Sequence, residues 1–156
     1  MAAYEFITLW RFTAPLPSVW DVIHDAISWP RWWKAVESVV ELDPGDEKGL
    51  GALHRYTWRG VLPYRLRFDM KTTLVEEPVR LEGEASGDLV GTGRWRLSEE
   101  GSDTVVRYDW RVETSKRWMR ALTPVARPLF AWNHDVVMRW GREGLSGRLR
   151  TGAPDR

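Results

Sequence analysis

Apolar and polar residues alternate with a period of two along most of this chain, and the period changes in only two places. Residues 4–13 set Tyr4, Phe6, Thr8, Trp10 and Phe12 against a face that carries Glu5 and Arg11, the pattern of a strand with one buried side. Pro15 and Pro17 end it. Ser18, with Asp21 three residues on, reads as a helix N-cap, and Val19, Trp20, Ile23, Ala26 and Ile27 follow at helical spacing. Ser28-Trp29-Pro30 predicts a second short helix, because proline suits a first turn. A strand follows near 35–42, and Asp43-Pro44-Gly45-Asp46 is a turn.

Parity then separates the faces of the later strands. His54, Tyr56 and Trp58 share one side, as do Tyr64, Leu66, Phe68, Met70 and Leu74. Val79, Leu81, Gly83 and Ala85 are set against Arg80, Glu82 and Glu84. Gly93, Trp95 and Leu97 oppose Arg94 and Arg96, and Val106, Tyr108, Trp110 and Val112 oppose Arg107, Asp109 and Arg111. Each is an antiparallel strand with one wet face. The second change of period comes at the end. Leu129, Trp132, Val136, Val137 and Trp140 recur at three and four residues, which predicts one long amphipathic helix over 128–149. Pro124 and Pro128 predict that it kinks or starts twice in its early part. The order is therefore strand, two short helices, six strands, one long helix, an α+β arrangement in a single domain spanning 1–150 with a disordered tail at 151–156.

Composition narrows what such a domain does. Basic and acidic residues number 23 and 22, so nothing draws the whole chain to nucleic acid. The charge is uneven, however: from Ser115 onward nine basic residues face three acidic ones, against 14 and 19 before it. Arg117, Arg120, Arg127, Arg139 and Arg142 give the last helix a basic face, either simply solvated or suited to an anionic membrane or acidic partner. Cysteine is absent, which excludes disulfides and thiolate chemistry. Without a signal-like N-terminus or an apolar run near the ~20 residues of a membrane span, a cytoplasmic location is expected. The eleven tryptophans exceed what one small core readily absorbs, and they predict an aromatic-lined cavity or groove.

Four stretches carry a resemblance: VWDVIHDAISWPRWWKAV at 19–36, GTGRWRL at 91–97, TVVRYDWRV at 104–112 and RPLFAWNHDVVMRWGREGL at 127–145. In this order and spacing they resemble the START-like (SRPBCC) superfamily, and within it the polyketide cyclase/dehydrase and lipid-transport group. The resemblance implies a helix-grip fold, in which a curved antiparallel sheet of about seven strands wraps a long C-terminal helix around a hydrophobic cavity. It implies no single reaction, because the superfamily holds carriers, receptors, cyclases and chaperone activators.

Residues on the inward faces are the candidates for ligand contact. From the helix these are Leu129, Trp132, Asn133, Val136, Val137 and Trp140; from the strands, Tyr56, Trp58, Tyr64, Phe68, Trp95, Tyr108 and Trp110. Asn133, in the middle of an apolar stripe, must be paired when buried. Either it bonds a sheet tyrosine or a buried water, or it orients a ligand. The inward tyrosines either bond one another or serve a bound carbonyl or hydroxyl. Gly141 and Gly144 either let the sheet approach or leave room for a ligand. His54 and His134 are the acid–base candidates, His134 at the flank of the stripe serving alternatively as a rim or packing residue. No histidine spacing suits a metal, and no cofactor motif is present. The arginines point outward in a charge ladder. Three functions fit: binding or transport of a hydrophobic or aromatic small molecule or lipid, a metal-free cyclase, aromatase or dehydratase using the same cavity, or a partner- or chaperone-binding domain.

Overall fold

The computed structural model describes residues 3–151. Strand β1 (Ala3–Phe12) leads into helix α1 (Leu16–His24), a single 3-10 turn (Ala26–Ser28) and helix α2 (Trp29–Trp32). Strands β2 (Val36–Asp43), β3 (Leu53–Trp58), β4 (Leu66–Glu76), β5 (Arg80–Gly87), β6 (Leu89–Glu100) and β7 (Asp103–Thr114) precede helix α3 (Arg117–Thr151). The tail expected after Arg150 falls, beyond Thr151, outside the described residues.

All neighbouring strands are antiparallel, in the order β1-β7-β6-β5-β4-β3-β2. Strands β2 to β7 form a meander, and β1 closes its far edge against β7. The first two strands thus lie at opposite edges, and α1 and α2 bridge the distance between them. The predicted parities hold through β3, β6 and β7, where Tyr56, Trp95, Leu97, Val106, Trp110 and Val112 are buried. In β4 the pairing shifts between Thr72 and Leu74. This bulge reverses the faces beyond it, so Val75 and not Leu74 packs on the core.

Two details of the helices differ from expectation. Helix α1 begins at Leu16, not after Ser18; its N-cap is Pro15, with no side-chain cap. The Pro15 carbonyl accepts the Ser18 and Val19 N–H groups at 3.1 and 3.2 Å, and Pro17, in the first turn, brings a preset helical φ. Helix α3 neither starts at 128 nor starts twice. It runs for 35 residues through both Pro124 and Pro128, neither of which has an N–H to give the helix. Met119 and Phe130, both buried, hold it on either side.

Several of the outward arginines meet acids, within a strand or across two. Arg55 bonds Asp69, Arg65 bonds Glu37 and Arg107 bonds Asp109, at 2.6–2.8 Å. Inside, Trp10, Trp29, Trp33 and Trp95 form one aromatic cluster between the short helices and the sheet. Trp33, fully buried, donates its indole N–H to the Val137 carbonyl of α3 at 2.9 Å. Gly141 and Gly144 explain how it gets there. A Cβ at Gly141 would stand 2.6 Å from the Trp33 ring, and one at Gly144 would collide with the Trp32 carbonyl oxygen. Neither glycine serves the sheet or a ligand; both admit α2 against α3.

Candidate ligand cavity

Between the concave face of the sheet and α3 lies a cavity of about 420 Å³, within the range of small-molecule sites. All seven aromatics expected to face it do so, Tyr56, Trp58, Phe68, Trp95, Tyr108 and Trp110 from strands and Tyr64, expected on a strand, from the loop before β4. The six on strands form a continuous chain of ring contacts, whereas Tyr64 meets Trp118 and Phe130 of α3. Tyr108 stacks between Trp95 and Trp110, with centroids 4.0 and 5.8 Å away, and Phe68 touches Tyr56, Trp58 and Trp110. Gly83 and Gly93 pair across β5 and β6 beneath this wall. A Cβ at Gly93 would lie 2.8 Å from the Tyr108 hydroxyl, so the glycine makes room for the ring rather than for empty space.

The helix contributes a different set from the one expected. Asn133, His134 and Val137 line the cavity, together with Phe130, Met138 and Met119. Leu129 and Trp132 do not; they are 48% and 46% exposed. Val136 is buried away from the cavity, and Trp140 lies under the Lys34 ammonium, 4.6 Å from its ring centre. The cause is that α3 is apolar on two adjoining sectors. The stripe centred on Leu129 and Val136 faces outward or sideways, and the one turned in is rotated by about one residue step, roughly 100°.

Asn133 is engaged by protein. Its carboxamide oxygen accepts the Val61 and Leu62 N–H groups at 2.7 and 3.1 Å, and its NH2 donates to the Tyr64 hydroxyl at 3.4 Å. These bonds tie loop 59–65 to α3. The loop comes so close that a Cβ at Gly60 would lie 2.7 Å from the Asn133 nitrogen. Burial pushes the Tyr64 hydroxyl up to about 12, with Tyr4 adding and the Asn133 bond opposing.

His134 is in the opposite situation. Its ring stacks on Phe6 of β1, 3.9 Å between centroids, and neither ring nitrogen has a partner. Burial draws its pKa down to about 4, so at neutral pH it is an uncharged imidazole with one N–H and one lone pair to offer. Trp58 also keeps its indole N–H unpartnered. Among the described residues no hydrogen bond engages the Tyr56 or Tyr108 hydroxyl. Burial raises both well above the ordinary phenol range, and Tyr56 raises Tyr108 further.

His54 reaches the cavity from β3. The β2–β3 register sets Glu41 directly opposite, with its carboxylate 3.4 Å from the His54 Nε2. Burial lowers the His54 pKa and Glu41 partly offsets this. This acid was missed in the sequence, where only strand register would reveal it. The two histidines do not converge: His134 packs on β1, and four strands separate β1 from β3. Around His54 the wall is more polar, with Glu41, Asp46, Glu47 and His24. His24 Nε2 lies 2.9 Å from the Lys48 carbonyl oxygen, fixing the loop between β2 and β3. Among the described residues no three His, Asp or Glu side chains gather as a metal site requires.

A curved seven-stranded antiparallel sheet gripping a long C-terminal helix over an aromatic cavity defines the START-like, helix-grip class. The sequence profile of polyketide cyclase/dehydrase and lipid transport proteins matches residues 12–135, and the chain belongs to that family. Similar solved structures include TTHA0849 from Thermus thermophilus, with a TM-score of 0.77 and 18% identity over 97% of this chain and 100% of that one. A START superfamily protein from Mycobacterium smegmatis has a TM-score of 0.77 at 13% identity, covering 96% and 99% of the two chains. The Zhui aromatase/cyclase from Streptomyces sp. R1128 has a TM-score of 0.73 at 14% identity, covering 94% and 93%. At these identities the likeness is one of fold. No curated protein sequence matches the chain.

Proposed function

We propose that this protein binds a flat, mainly apolar small molecule carrying carbonyl or hydroxyl oxygens, in the cavity between sheet and α3, and hands it on unchanged. One observation carries the reading. Among the described residues the Trp58 indole N–H and the His134 imidazole have no protein partner, and no hydrogen bond engages the Tyr56 or Tyr108 hydroxyl on the same cavity wall. Each buried polar group without a partner costs about 1–3 kcal/mol, and a ligand bearing oxygens at matching points relieves that cost. The stacked rings of Trp95, Tyr108 and Trp110 favour a flat aromatic ligand over a flexible acyl chain. Asn133 contributes indirectly, by holding the loop that carries Tyr64. Membership of a family of cyclases and lipid carriers supports the same class of ligand. The reading involves no nucleic acid and no cofactor.

Native mass spectrometry of the purified protein tests it, with an oxygenated aromatic adduct expected. Tyr108→Phe, which removes one hydroxyl and keeps the ring, is expected to weaken binding of that ligand about fivefold. Protein that carries no adduct and shows no quenching of its tryptophans by any flat oxygenated aromatic would end the proposal.

A cyclase- or dehydratase-type enzyme is the second reading, and the His54–Glu41 pair is the observation that favours it. A histidine backed by a carboxylate suits removal of a proton next to a ligand carbonyl. Under this reading His54→Phe abolishes turnover of a bound poly-ketone while leaving its affinity within a few-fold; under the first there is no turnover to lose.

A further inference from the structure

The first half of α3 exposes Trp118, Leu122, Val125, Leu129 and Trp132. Their spacing of four, three, four and three residues aligns them in one stripe, about 21 Å long. Val125, at its centre, is 85% exposed. Helical periodicity sets Ala121, Pro124 and Pro128 beside the stripe, so its outward flank carries no charge between Arg117 and Asp135. Loop 59–65, tied to Asn133, adds the exposed Val61. The patch amounts to something on the order of 500 Å² of apolar surface, at the upper end for a single chain.

Charge selects what covers it. From Lys116 to His134 the chain has four basic residues and no acidic one. Arg117 and Arg120 are exposed, whereas the Lys116 ammonium is paired with Asp88 at 3.5 Å and the Arg127 guanidinium lies over the Tyr4 ring. Two copies meeting stripe to stripe would bury less than the roughly 800 Å² per partner of a stable dimer. A bilayer with anionic lipid suits both features. Its apolar layer takes the stripe, its headgroups take the arginines, and tryptophans at either end of the stripe are at home in the interface.

We infer that the first half of α3 docks flat on a membrane surface containing anionic lipid. It does not cross, since no helix among the described residues is long and apolar enough to do so. The docked face backs onto the cavity. Trp118 packs on Tyr64 and Phe130, with centroids 5.4 and 6.5 Å apart, and both of those rings line the cavity. Exchange of a ligand at this wall rests on the binding reading above; docking itself does not.

Co-sedimentation of the purified chain, without added ligand, tests docking. The probes are vesicles of equal parts phosphatidylcholine and phosphatidylglycerol, and vesicles of phosphatidylcholine alone, at low salt. Binding to the mixed vesicles is expected to be at least about tenfold tighter than to the neutral ones, and to fall about tenfold in Val125→Glu. Near-ultraviolet circular dichroism of the variant confirms its fold. Failure of the wild type to pellet, or equal pelleting of wild type and variant, overturns the inference. So does a concentration-dependent dimer that Val125→Glu dissolves, which would assign the stripe to a second copy of the chain.

Discussion

The two halves of α3 are built from similar residues and are used in opposite ways. From Asn133 to Leu145 the helix is clamped. Gly141 and Gly144 let α2 come against it, Trp33 bonds its backbone, and Leu145 is fully buried. Among the described side chains from Trp118 to Trp132, only Met119 and Phe130 are buried, and five large apolar ones face outward. An apolar residue on this helix therefore says little about burial by itself. The small residues opposite a neighbouring element decide which half is gripped.

The contrast is sharpest under substitution. Trp33→Ala should cost about 4 kcal/mol in urea denaturation, through lost packing and a Val137 carbonyl left without its donor; a loss below about 1 kcal/mol would mean that α2 does not clamp the helix. A pH effect of nearly the same size is expected from His134. Folded, it titrates near 4; unfolded, near 6.5. Between these values the unfolded chain binds more protons, so stability is full above about pH 6.5 and falls by up to about 3 kcal/mol as the pH drops towards 4. His54, also lowered, acts in the same direction. His134→Phe should flatten most of that slope, and an unchanged slope would assign it elsewhere.

Asn133→Ala, at the boundary between the halves, is expected to cost about 2 kcal/mol and to speed hydrogen exchange at the Val61 and Leu62 amides. Unchanged exchange there would separate the loop from the helix. Smallest is Val125→Glu in the ungripped half, expected to leave stability within about 0.5 kcal/mol. A larger loss would show that the stripe is already covered within the chain.

What the sequence conveyed follows from the periods involved. A strand repeats every two residues, so one correctly read face gives every inward side chain, and the six strand aromatics of the cavity were legible. The bulge at Thr72–Leu74 limits this, because an inserted residue leaves no mark in composition. A helix repeats every 3.6 residues, and with apolar residues on two sectors the pattern does not say which one faces the sheet. Leu129 and Trp132 were misread for that reason, and Phe130 and Met138 overlooked. Gly141 and Gly144 stood out as gaps, yet what fills them comes from α2, more than a hundred residues earlier. Glu41 opposite His54 likewise depends on strand register, set by the turn geometry between β2 and β3.

The pairing of β1 with β7 carries a consequence for the order in which the domain assembles. Strands β2 to β7 join neighbours through short connections, so their contacts close small loops at low entropic cost. Tyr4 instead meets Val112 across about two thirds of the chain, and of the strand pairings this is the one that topology makes slowest. Phe6 lies on that strand, and His134 rests on Phe6. The edge nearest the buried imidazole is thus the one expected to form last, so that end of the cavity closes only after the rest of the barrel-like wall has assembled.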